Sequence, residues 1–172
     1  MAKLEIIRIG HPTLSLKAKP VENINQEIVK LARDMVETMY QAPGIGLAAP
    51  QVNVSQRLIT VDLSVGEKQD ELIVMINPEI MEEEGELLGE EGCLSVPGIY
   101  EKVKRPARII VKGYNLDGQE ILIEAEDLLA RVLYHEIDHL EGKLFIDRLS
   151  PLKRRLLKDR LKKEMAKKTE KG

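Results

Sequence analysis

"RIIVKGYNLDGQEILIEAEDLLARVLYHEIDHLEG", residues 108–142, carries two periodicities in one stretch. Its first part reads as two short strands, 108–114 and 119–124, rich in β-branched residues and joined around Asp117-Gly118, a pair suited to a tight hairpin turn. From about Asp127 to Glu141 the pattern is helical, and Gly142 is a good residue to end the helix. Outward from this stretch, "LITVDL" (58–63) and "LIVMIN" (72–77) read as strands separated by the turn-like "SVGEKQD". Residues 25–41 read as a helix: Asn25 can cap it, and Ile28, Leu31, Ala32, Met35 and Met39 share one face before Pro43 and Gly44 end it. A last helix starts with Ser150 as cap and Pro151 at its first position. The expectation is an α+β fold in a single domain. Mainly antiparallel strands surround the 127–141 helix, with one helix near each end. Residues 1–150 form the body, and 151–172 form a basic helical extension of the same domain.

Composition limits the classes of function. The chain has 172 residues, 43% apolar and 32% charged, which suits one globular domain with a real core. No apolar run approaches the roughly 18–20 residues that would span a bilayer. The N-terminal "MAKLEIIRIGHPTL" has no signal-peptide or transit pattern, so a cytoplasmic protein is expected. The single cysteine, Cys93, excludes an internal disulfide framework. Charge is unevenly placed: residues 151–172 carry a net +7 on a body of −10. With no Trp and a single Phe, stacking on nucleobases has little to work with. The Glu, Lys and Ile content hints at a thermophilic source.

Three segments hold chemistry. In "HEIDH" (135–139), His135 and His139 lie one helical turn apart and share a face, so both imidazoles can reach one cation. Glu136 lies about 100° around the helix, within reach of a water at such a site. Two histidines on a half-buried helix face would also fit the pair alone. A catalytic metal usually keeps three protein ligands and an open position. Downstream of His139 there is no further histidine, which argues against a zinc endopeptidase that takes its third ligand there. Cys93, in "EEGCLSVPG", could be a small buried hydrophobe. It could also complete a Cys-plus-two-His set suited to Zn2+ or Fe2+. "GIGLAAPQ" (44–51) lacks the pattern of a phosphate loop and reads as a packed turn, ending in a Gln that could donate to an oxyanion.

With GIGLAAPQ, EGCLS and HEIDH in this order, the sequence resembles the peptide deformylases, which remove the formyl group from N-formylmethionine on new bacterial proteins. The resemblance runs from "IRIGHPTL" to "GKLFIDRLS", roughly residues 6–150. It implies that Cys93, His135 and His139 ligate the metal, natively Fe2+, with Zn2+, Ni2+ or Co2+ also found in purified protein. It implies that Glu136 is the catalytic acid/base, and that Gln51 and the Leu94 backbone N–H are the oxyanion donors. Gly46 matches the position where the substrate main chain runs, and Glu91 matches a scaffold ion pair with Arg105. His11 has no metal role. Arg131 stands where some members carry an apolar residue, at the rim of the pocket.

Leu128 and Val132 share a face with His135, so they can wall an apolar pocket beside the metal, and Ile45 can close it from the glycine loop. An unbranched methionine side chain suits such a pocket. The implied substrate is a nascent formyl-Met polypeptide, with no role for DNA or a membrane. In the tail, Leu152, Leu156, Leu157, Leu161 and Met165 form a narrow apolar stripe among lysines and arginines. The implied partner of this helix is the ribosome, through rRNA near the exit site. Its last residues, about 166–172, are expected to be disordered in the free protein. A catalytically dead ribosome-binding module would share this tail but would not need an intact Glu136 and ligand set.

Overall fold

The computed structural model describes residues 3–171, apart from the side chains of Met165 and of 168–171. In chain order the elements are α1 (Gln26–Gln41), β1 (Gly46–Ala48), β2 (Leu58–Val61), β3 (Ile73–Glu84), β4 (Leu87–Cys93), β5 (Val96–Arg105), β6 (Arg108–Tyr114), β7 (Glu120–Glu126), α2 (Asp127–Leu140) and α3 (Pro151–Lys171). Short 3-10 turns lie at Pro12–Ser15, Ala49–Val52 and Phe145–Arg148. The fold is α+β in a single domain. One antiparallel sheet has the order β1-β2-β3-β6-β7, and among the described residues β4 pairs only with β5, in a separate ribbon.

The period of two along each strand sorts the core into two layers. Ile59 and Val61 of β2, Met75, Ile109, Val111 and Ala125 face α2, where Leu133, Ile137 and Leu140 meet them. Leu58 and Ile76, one residue out of phase, join Leu47 on the opposite face against Ala32, Met35 and Met39 of α1. Full burial of a side chain such as Leu133 or Met39 contributes roughly 1.5–3 kcal/mol. The Asn25 side chain caps α1 by accepting from Ile28 N at 3.0 Å. A third cluster joins the ribbon to the C-terminal segment: Val96, Ile99 and Val103 of β5 pack on Phe145, Ile146, Leu157 and Leu161.

Several elements differ from the sequence reading. The strand at 72–77 continues to Glu84 because its acidic half has cationic partners on β6. Arg108 pairs with Glu82, Glu84 and Glu124, and Glu79 lies opposite Lys112. The ribbon β4–β5 is absent from the sequence reading, since β4 is acid-rich and largely exposed. The glycine segment 44–51, read as a packed turn, contains the short strand β1. In α3 the leucine stripe splits: Leu157 and Leu161 are buried, whereas Leu152 and Leu156 are 69% and 60% exposed. Met165, assigned to the same stripe, has its side chain outside the described residues. Lys153–Glu101 at 2.7 Å and Lys158–Asp147 at 3.0 Å dock the helix so that only one pair of leucines faces the ribbon. The last helix runs to Lys171, with no Gly or Pro interrupting its strong helix formers after Pro151. Gly172 lies outside the described residues.

Candidate metal centre

α2 runs through the middle of the molecule, and its residues from Ala130 to Leu140 are almost all buried. Helical spacing puts His135 and His139 side by side, with ring centroids 5.1 Å apart, and Phe145 stacks on His135. Cys93 ends β4, where the register against β5 shifts between Glu91 and Cys93; a bulge of this kind re-aims a side chain. Its Sγ stands 3.4 Å from His139 Nε2. One ligand atom from each of Cys93, His135 and His139 lies within 4.8 Å of the others. A tetrahedral ion with Zn-like bond lengths spaces its ligand atoms about 3.3–3.7 Å apart, so the group fits with small adjustments.

The second ring nitrogen of His135 is occupied: Nδ1 and Glu91 Oε1 are 2.9 Å apart, which leaves Nε2 for the cluster. Arg105 donates to both oxygens of Glu91 at 2.8 Å, and Arg131 adds a third guanidinium bond at 2.7 Å. Burial alone would raise the pKa of Glu91, but bonds from Arg105 and His135 and their charges outweigh it and bring it down to about 2. The chain of buried charges continues through Asp138, which accepts from Arg105 at 2.6 Å and from Arg148 at 2.7 Å.

Among the described residues, two buried side-chain polar atoms have no hydrogen-bond partner: Glu136 Oε1 and His139 Nδ1. Burial, with Glu91 and Asp138 nearby, lifts the pKa of Glu136 to about 7 against the opposing pull of His135 and Arg105. A carboxyl so placed can take and return a proton near neutrality. Burial holds the pKa of His139 well below the ordinary value, so it is neutral, as a ligand must be. Burial also works against charge on His135, yet Cys93, Glu136 and Glu91 overcome it and raise its pKa well above the ordinary value. The thiol and the two acids around His135 favour a positive charge there.

Gln51 is oriented from behind. Ala48 N donates to Gln51 Oε1 at 2.9 Å, which turns Nε2 toward Cys93 Sγ at 3.5 Å and Ser95 Oγ at 3.2 Å. Gly46 leaves room for the carboxylate of Glu136: a Cβ there would collide with Oε2 and stand 3.0 Å from Val132 Cγ1. A cavity of about 410 Å3 opens here, with Ile45, Gly46, Gln51, Leu94, Leu128 and Val132 in its wall beside Cys93, His135 and Glu136. Leu128 is half-exposed and stands at the rim, while Val132 lies deeper. Every site residue expected from the sequence is therefore gathered here, with His139 behind the cavity wall. His11 lies apart and accepts from Thr13 N in the first 3-10 turn. Sequence reasoning missed Ser95 and Asp138, whose buried neighbours leave no local pattern. Among the described residues, no helix is long and apolar enough to cross a membrane.

A family profile described as polypeptide deformylase matches residues 3–155. A peptide deformylase of Thermodesulfovibrio yellowstonii is 56% identical over 162 residues, spanning 94% of this chain and 98% of the relative. A crystal structure of a peptide deformylase from Legionella pneumophila superposes with a TM-score of 0.88 at 45% identity, covering 96% of this chain and 98% of that one. One from Ehrlichia chaffeensis in complex with actinonin gives 0.87 at 38% identity, covering 95% and 98%.

Proposed function

The chain belongs to the polypeptide deformylase family, and from that premise we propose how its own residues carry out the family's reaction. The family is metal-dependent and removes the N-formyl group from the N-terminal formylmethionine of nascent polypeptides. One observation carries the residue assignment: ligand atoms of Cys93, His135 and His139 converge beside the buried carboxyl of Glu136. These three would hold the ion through Sγ and the two Nε2 atoms. When bound, the ion supplies Lewis acidity, polarising the formyl oxygen and lowering the pKa of water toward neutrality. We assign Fe2+ as the native ion, with Zn2+, Ni2+ or Co2+ as replacements, since an N/S set of this kind takes all of them.

Glu136 takes the proton of the attacking water at its free carboxylate oxygen. Gln51 Nε2 and the Leu94 N–H donate to the oxygen that gains charge as the formyl carbon becomes tetrahedral. Glu136 then gives its proton to the leaving amine nitrogen, and formate departs. Ile45, Leu128 and Val132 receive the methionine side chain, and the bare backbone at Gly46 lets the substrate main chain come close. The test is anaerobic formate release from formyl-Met-Ala-Ser, with metal analysis of the same sample. Cys93→Ser is expected to lose metal affinity and activity together, because a hydroxyl poorly replaces a thiolate. Stoichiometric metal at unchanged affinity in that variant would place the third ligand elsewhere.

We assign residues 151–172 as an extension that docks on the ribosome of a cytoplasmic host. Leu152 and Leu156 are exposed, and Arg155, Lys162, Lys163 and Lys167 are exposed as well. Such a surface suits RNA phosphates, with strong salt dependence and little sequence preference. Leu157 and Leu161 belong to the core, so the test reverses charge and leaves the helix in place. Glutamates at these four cationic positions should abolish co-sedimentation with ribosomes at low salt and spare hydrolysis of a short formyl peptide. Undiminished pelleting of that variant would reduce the tail to a solvated helix.

A further inference from the structure

A guanidinium lies between the helix that carries both histidines and the ribbon that carries the cysteine. Arg131 sits one turn before His135 on α2 and is almost fully buried. Its Nη1 donates to Glu91 Oε2 at 2.7 Å, to Val103 O at 2.8 Å and to Gly89 O at 3.3 Å, and its Nη2 donates to Leu87 O at 2.9 Å. The three carbonyls come from both strands of the ribbon. Opposite the guanidinium stands Gly89, where a Cβ would lie 3.0 Å from Cζ, Nε and Nη2 of Arg131 at once. The ribbon thus lacks a side chain at the residue on which the planar group rests. Glu91 joins this seat to the metal centre, because Oε2 accepts from Arg131 while Oε1 meets His135 Nδ1. Strand pairing does not join the ribbon to the five-stranded sheet among the described residues, so side-chain ties and packing help set where it stands against α2.

We infer that Arg131, seated on Gly89, is a positioning residue that fixes the ribbon against α2 and holds Glu91 to His135. Cys93 Sγ and the two imidazoles thereby keep the spacing that accepts one divalent ion. The inference rests on the metal reading above. A planar fork that serves four acceptors cannot be replaced by a point charge, so the role is specific to arginine.

The test titrates metal-free protein with Co2+ under anaerobic conditions. It follows thiolate-to-cobalt charge-transfer absorption and measures affinity by chelator competition. A wild-type chain that gives no thiolate band would sink the metal reading itself. With the band present, Arg131→Leu is expected to weaken Co2+ binding by about 10–100-fold, the usual effect of losing an outer partner, and to alter the band. Arg131→Lys should not restore it. Gly89→Ala should weaken binding several-fold by displacing the guanidinium, and should add nothing in the Arg131→Leu background, where nothing remains to displace. Wild-type affinity and an unaltered band in Arg131→Leu would overturn the inference, as would recovery in Arg131→Lys or full additivity of the pair. If Arg131→Leu does not fold, Gly89→Ala decides alone: unchanged Co2+ affinity overturns the proposal.

Discussion

Glu136→Gln is expected to lower kcat for formate release from a short formyl-methionyl peptide by about 10²–10⁴-fold while metal content stays at the parent level. Glutamine keeps the shape and size of the side chain, and Glu136 is not among the three converging ligand residues, so proton transfer alone is removed. The same substitution has an opposite effect on stability. The Glu136 carboxyl has its pKa raised by burial from 4.5 to about 7, so the folded protein prefers it protonated. The cost to folding begins as pH rises above the unfolded value near 4.5 and is complete above about 7. It amounts to roughly 3 kcal/mol for a shift of this size. Metal-free Glu136→Gln should therefore melt above the metal-free parent at pH 8, and the difference should vanish near pH 4. Near-normal turnover would remove Glu136 from the reaction. Equal melting at both pH values would show that its burial carries no electrostatic cost.

The second large effect is expected at Gly46. Its φ is ordinary, so backbone freedom is not the reason for the glycine. The reason is space: a Cβ would collide with Glu136 Oε2 and press on Val132 Cγ1 at 3.0 Å. Gly46→Ala must push the carboxylate out of line or lift the glycine strand from α2. A displacement of about 1 Å in a catalytic group can cost on the order of 100-fold. We expect kcat/KM to fall by about that factor or more, with metal affinity little changed because Cys93, His135 and His139 are untouched. Parent-level kcat/KM in a folded Gly46→Ala protein would show that Glu136 has room to spare.

The three helices and the hairpin at 108–124 were legible in the sequence because each announces itself locally. Asn25 caps α1, apolar residues recur on one face, and Asp117-Gly118 marks a turn. The ribbon was not legible. β4, "LLGEEGC", exposes its leucines and buries Glu91, the reverse of the ordinary alternation, because that face meets the guanidinium groups of Arg105 and Arg131. No local pattern can reveal a partner 40 residues away. The candidate site residues could be picked out for another reason: their types and order suggest the chemistry whatever the strands around them do. The outer layer was legible only in part. Glu91 and Arg105 came with the motif resemblance, whereas Asp138 and the seat of Arg131 on Gly89 depend on tertiary packing.

The separation of the two sheets has a consequence for how the chain unfolds. The ribbon β4–β5 shares no strand pairing with the five-stranded sheet among the described residues. An ion held by Cys93 and His135 would act as a reversible cross-link that closes a loop of about 40 residues. Binding to the folded form alone stabilises it by mass action, with a gain that grows with ion concentration. Hydrogen exchange should therefore divide the molecule. Stripping the ion with a chelator should speed exchange in 87–105 far more than in 58–61 or 108–126, so the ribbon becomes a separate opening unit. Equal acceleration in both sheets would mean that the ribbon is held by its packing and ion pairs, with no help from the cross-link.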